Sequence, residues 1–180
     1  MISQNEEYKT LIGHRLQENM KSFKLLFDIQ HYGNCISIMR QELDQLIRLL
    51  FLLHSNPEEK KQFIYSSINS QKWYIVGKDG RKEYITEDML LRFAETLEGW
   101  ERSIYEFGFS FGDLSANFNY GSRDPIKSMN DFDRQKLRKY ITEYHIKDFP
   151  GDFSLSDLIP ALPSIIEAIS DKLKLYMEKI

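Results

Sequence analysis

Residues 35–54 read CISIMRQELDQLIRLLFLLH, the most apolar stretch of the chain, yet one with a charge every few residues. At about 100° per helical residue, Cys35, Ile36, Ile38, Met39, Leu43, Leu46, Ile47, Leu49, Leu50 and Leu53 cover about half the circumference, and Glu42 is the one charge inside that arc. A helix packed on one neighbour needs an apolar face of roughly 100°, so this stretch predicts a central helix touching two or three others. Its opposite flank carries Ser37, Arg40, Gln41, Asp44, Gln45 and Arg48. Arg40, Asp44 and Arg48 follow one another at i, i+4, i+8, so Asp44 is expected to bridge both guanidinium groups.

Before this segment, residues 3–32 place Tyr8, Leu11, Ile12, Leu16, Met20, Phe23, Leu26, Phe27 and Ile29 mostly at three- and four-residue steps, an amphipathic helix that Gly33-Asn34 should end. So short a connection predicts an antiparallel helical hairpin. After it, Asn56 and Pro57-Glu58-Glu59 read as a cap, a first-turn proline and acids at the positive end of a dipole, opening a helix to about Ser67. Two aromatic and β-branched runs at 72–76 and 82–85 flank Gly77-Lys78-Asp79-Gly80, which predicts one small hairpin lying on a helical surface.

Thr86 then caps a helix whose period runs through Leu90, Phe93, Ala94, Leu97, Ile104 and Phe107, and past Gly108 to Phe111, Leu114 and Phe118. Gly108, Gly112 and Ala116 form a stripe of small residues, read as close packing against the central helix, with a ligand near the backbone as the other possibility. Residues 120–130 are a loop, and residues 131–147 a helix with Leu137, Tyr140, Ile141 and Tyr144 inward. The last helix is regular after about Leu162, with Ile165, Ile166, Ile169, Leu173 and Tyr176 as its inner face. The fold class expected is therefore all-α: one domain over residues 1–180, an antiparallel helical bundle with one small peripheral β-hairpin at 72–85.

A chain of 180 residues can bury about 70% of its unfolded surface without staples. Its 27 acidic and 24 basic residues, net charge −3, argue against a protein devoted to gripping phosphate backbones. One cysteine and no opening signal segment point to a reducing cytoplasm. The best membrane-spanning candidate would bury Arg40, Glu42, Asp44 and Arg48, each charge costing roughly 3 kcal/mol near a bilayer centre, so no membrane role is expected.

His14, His31, His54 and His145 fall at no metal-ligand spacing, and neither a metal nor a cofactor is expected. Cys35 reads as a core residue, with a reactive thiol near a helix start as the sharper alternative. Two basic constellations remain. Arg40, Asp44 and Arg48 form either an ion-pair ladder or a set in which Asp44 orients an arginine toward an anion in a cleft. Arg134, Arg138 and His145 fall within about 40° on the helix after Asp131, either as a solvated face or as a basic stripe for RNA.

Arg40-x-x-x-Asp44 followed by the apolar run 46–53 around Arg48 resembles the second helix of HEPN-like helical proteins of bacteria. The segment Phe109-Ser110-Phe111-Gly112-Asp113-Leu114-Ser115 looks like their third long helix, with Asp113 where several relatives carry histidine. The resemblance implies a dimer of defence or toxin–antitoxin type, in which an arginine and a histidine with four to six residues between them cleave RNA without a metal. Arg48 and His54 fit that spacing, as do Arg138 and His145. On a straight helix the first pair lies about 120° apart and the second about 20°, so Arg138 and His145 are the candidate catalytic pair. His145 would take the 2′-hydroxyl proton and Arg138 would hold the phosphate. Leu49 and Lys139 follow the two arginines, where active members often carry a polar uncharged residue. Two readings of other classes stand beside this one. In the first, the aromatic segment 105–120 binds a partner protein or a second copy; in the second, Arg40 and Arg48 line a small-molecule pocket.

Overall fold

The computed structural model describes residues 2–77, 79–96, 104–105, 107–108, 120 and 122–180. The chain is an all-α bundle carrying one two-stranded antiparallel hairpin. Helix α1 spans Gln4–Asp28, α2 Tyr32–His54 and α3 Pro57–Ile68; strands β1 (Tyr74–Val76) and β2 (Lys82–Tyr84) follow, then α4 (Glu87–Glu95). After a 3-10 turn at Ile126–Ser128 come α5 (Asp131–Tyr144), the short α6 (Leu155–Leu158), a second 3-10 turn at Ile159–Ala161 and α7 (Leu162–Met177).

Helix α2 is the centre of the bundle, packed against α1, α3, α4 and α7. Nine of the ten apolar residues assigned to its inner arc are buried and Leu53 is partly so, while Arg40, Gln41, Asp44, Gln45 and Arg48 reach its accessible flank. Burying each such leucine or isoleucine contributes about 1.5–3 kcal/mol, which explains why a helix apolar around half its girth sits inside. Cys35 belongs to this core, fully buried, its thiol pushed up to about 11 by burial, so the reactive alternative finds the opposite of what it needs.

Two boundaries differ from the sequence reading. Helix α1 stops at Asp28 and not at Gly33, because Gln30 adopts a left-handed φ of 62°. There the amides of Gln30 and His31 reach back to the carbonyls of Phe27 and Leu26, a Schellman turn that needs no glycine. Gly33 and Asn34 fall within α2 instead. Helix α5 stops at Tyr144, with His145 as its cap.

The caps match their residues. Asn56 and Glu59 form a reciprocal capping box on α3, and Thr86 accepts the Met89 amide at the start of α4. The hairpin pairs Tyr74 with Tyr84, Ile75 with Glu83 and Val76 with Lys82. Trp73 anchors it, stacked on Phe63 of α3 (centroids 4.6 Å, 13°) and donating its indole N–H to Ser67 at 2.8 Å. Together with Tyr8, Ile12, Leu52 and Ile64, these rings make a small second core under the hairpin.

Gly108 is buried and helical, and a Cβ placed on it would lie 2.7 Å from the Cβ of Arg40. The close approach expected of the small-residue stripe is therefore present at Gly108. Gly112, Ala116, Phe111, Leu114 and Phe118, like the segment 109–115, lie outside the described residues.

Candidate functional site

The ladder of Arg40, Asp44 and Arg48 separates into two arrangements. Arg48 donates Nε to Asp44 at 2.8 Å and sets its guanidinium over the Trp73 ring, 5.8 Å from the centroid. Arg40 turns away. It donates to Glu87 of α4 at 2.9 Å and to the Tyr105 hydroxyl at 3.2 Å, and lies over the Tyr105 ring at 4.8 Å. Tyr105 also donates to Glu87. Burial, with that bond to Glu87, drives its phenol far above the usual range. The expected double bridge at Asp44 is thus replaced: Arg40 finds an acid and a ring on other elements, and Asp44 keeps Arg48 alone as its ion-pair partner among the described residues.

Arg48 borders a cleft of about 640 Å³ between α1, α2, the end of α3 and the base of the hairpin. Arg15 of α1, and Lys72 just before β1, line it too. No aspartate or glutamate stands among the described residues of its wall. The counter-charges lie behind it. Asp44 holds Arg48, and Arg15 reaches toward Glu42 at 3.6 Å while donating to the Gln41 carbonyl at 3.4 Å. Glu42, the charge inside the apolar arc of α2, is 1% exposed and accepts from Asn19 at 2.5 Å. Its burial raises the carboxyl above its usual range, against the opposing effects of Asn19 and Arg15. Tyr8, buried at the bottom of the cleft, is raised by burial, partly offset by Gln45, Ser67 and the Arg48 charge.

The stripe on α5 is built differently. Arg138 donates to the carbonyls of Pro150 (2.9 Å) and Phe149 (3.3 Å), clamping the turn after the helix. Arg134 pairs with Asp131 at 2.7 Å. His145 places Nδ1 2.9 Å from the Ser164 hydroxyl of α7. That hydroxyl gives its only proton to the Ala161 carbonyl at 2.9 Å, so Nδ1 is the donor to it and Nε2 holds the lone pair. Nε2 is buried without a hydrogen-bond partner among the described residues, and burial lowers the pKa of the ring. No hydrogen bond joins Arg138 to His145 among the described residues; one serves the 149–150 turn and the other serves α7. Arg48 and His54 are also apart in role, since His54 bonds the Leu50 carbonyl and rests on Phe93.

Among the described residues no group of three or more His, Cys, Asp or Glu side chains could hold a metal ion, and no helix is long and apolar enough to cross a membrane. The chain matches no protein-family model, no curated protein and no solved structure.

Of the residues singled out in sequence, then, Arg48 borders the cleft with Asp44 behind it, Arg40 stands away from its lining, and Arg134 and Arg138 sit on α5 with His145 as its C-cap. Arg15, Lys72 and Tyr84 were missed. For Arg15 a signal existed: it directly precedes Leu16 on the buried stripe of α1, where a guanidinium is carried to the edge of the core.

Proposed function

We propose that the protein binds a small anionic ligand in the cleft walled by α1, α2 and the hairpin, through Arg48 with Arg15 and Lys72. What supports this reading is the state of Arg48. Its Nε is engaged by Asp44, which fixes the plane of the guanidinium, whereas its terminal nitrogens make no hydrogen bond among the described residues and the side chain borders the cleft. A guanidinium held from behind by a carboxylate presents a planar fork suited to phosphate or carboxylate oxygens. Trp73 against one face of it, and buried Tyr8 beneath, lower the local dielectric and strengthen such a contact.

The reading is tested by thermal unfolding with and without pyrophosphate, ionic strength being held constant with chloride. At a ligand concentration of 100 Kd, binding adds about 2.7 kcal/mol of stability. For a chain of this size that is a rise in Tm of about 5–10 °C. The rise is expected in the wild type and in Arg134→Gln, and should vanish in Arg48→Gln. Equal rises in all three proteins would take the anion away from the cleft.

A second reading follows the HEPN-like resemblance: a homodimeric protein of defence or toxin–antitoxin type that binds or cleaves RNA along the face of Arg134, Arg138 and His145. In its favour, His145 has the tautomer a general base requires, with Nδ1–H fixed on Ser164 and a lone pair at Nε2. The base would have to be uncovered, and Arg138 would have to leave the 149–150 carbonyls. An RNA-degradation assay comparing wild type with His145→Ala decides it. Loss of activity in the variant supports cleavage, and equal activity, or none in either protein, removes it.

A further inference from the structure

The wall of the cleft offers a second chemistry beside its cations, and the two together narrow the ligand. Three aromatic side chains line it: Tyr8, Trp73 and Tyr84. Tyr8 is only 3% exposed. Trp73 is 6% exposed, its ring stacked on Phe63 at 4.6 Å and 5.8 Å from the Arg48 guanidinium. Tyr84 of β2 is different. It is 54% exposed, and its one ring contact among the described residues is an edge-on meeting with Tyr74, centroids 6.3 Å apart at 74°. On the α1 side Leu11, 47% exposed, lines the same cleft.

A phenol that stays open beside three cations is suited to a ring, because a flat π-face stacks on it while the charged substituent of that ring meets the guanidinium groups. A ring-free anion would use the cations and leave Tyr84 and Leu11 in water. The volume of about 640 Å³ lies inside the range that encloses small organic ligands and far exceeds what a bare oxyanion needs. We infer that the ligand of this cleft is an aromatic anion, a flat ring bearing a phosphate or carboxylate, with the ring against Tyr84 and the charge on Arg48 and Arg15. This inference rests on the anion-binding reading above and adds the ring to it.

Phenyl phosphate and glycerol 3-phosphate, which share the phosphate and differ in the ring, separate the two claims by titration calorimetry on the wild type, Tyr84→Ala and Tyr84→Phe. Stacking of one aromatic pair corresponds to roughly a threefold to tenfold difference in Kd. Phenyl phosphate is expected to bind the wild type tighter by about that factor, to lose the advantage in Tyr84→Ala and to keep it in Tyr84→Phe. Glycerol 3-phosphate should bind all three proteins alike. If both probes bind the wild type equally, the aromatic claim falls and the anion reading stands. If neither binds, both fall. An advantage that survives in Tyr84→Ala also overturns the inference, since the ring would then be held elsewhere.

Discussion

His145 shows how one side chain can couple the fold to pH. Burial disfavours its protonated form, so its pKa in the folded chain lies below the ordinary 6.5. The stability tied to the neutral ring is complete above about 6.5 and is lost as the pH falls through the lower, folded value, because the unfolded chain takes up the proton first. His145→Gln keeps a donor for Ser164 and removes the titration. The fall in urea midpoint from pH 7 to pH 5 should therefore be smaller in the variant than in the wild type; an equal fall would assign the acid sensitivity to other groups. Glu42 acts with the opposite sign, its raised carboxyl favouring the folded state as the pH drops. Asp152 and Asp157 are held below the usual carboxylate range by Lys127 and by Ser154, and lose their contribution only further into acid.

Helix α2 and the helical residues 107–108 meet where Gly108 faces Arg40, and that contact tolerates no methyl group. The obstructing atom is the Cβ of Arg40 at 2.7 Å, with its Cγ at 3.3 Å, and a Cβ fixed to its own main chain cannot swing aside as the tip of a long side chain would. Overpacking of this kind costs about 1–3 kcal/mol, more than the roughly 1 kcal/mol that alanine gains in helix propensity. With overpacking near the middle of that range, Gly108→Ala should lower stability by about 1 kcal/mol, read from the midpoint of urea unfolding. A midpoint unchanged or raised would mean that the two segments can part without penalty. The same elements show what could be read in advance. The period of α2, the capping box of α3 and the paired runs of the hairpin are local patterns, each visible within twenty residues of sequence. The end of α1 was misjudged because glycine is the usual left-handed residue after a helix, and here Gln30 takes that role, with the Schellman bonds supplying the offset.

Across the molecule, legibility falls with separation along the chain. The i, i+4 rule found Asp44 beside Arg48, yet it gave Arg40 the wrong partner, since Glu87 and Tyr105 lie 47 and 65 residues away. The cleft was harder still. It draws on α1, α2, the end of α3 and both sides of the hairpin, and none of Arg15, Lys72 or Tyr84 is unusual in its own segment. The net charge of −3 likewise conceals a wall with no acid among its described residues, because Asp44 and Glu42 stand behind the cations.

One wall of that cleft belongs to the bundle and the other to the base of a hairpin whose second strand is exposed at all three residues. Trp73 fastens this hairpin to α3, and residues 82–84 contribute nothing to either core cluster. Substitutions there can reshape the cleft wall at almost no cost to folding, so the chemistry of this surface can change while the helical frame beneath it stays the same.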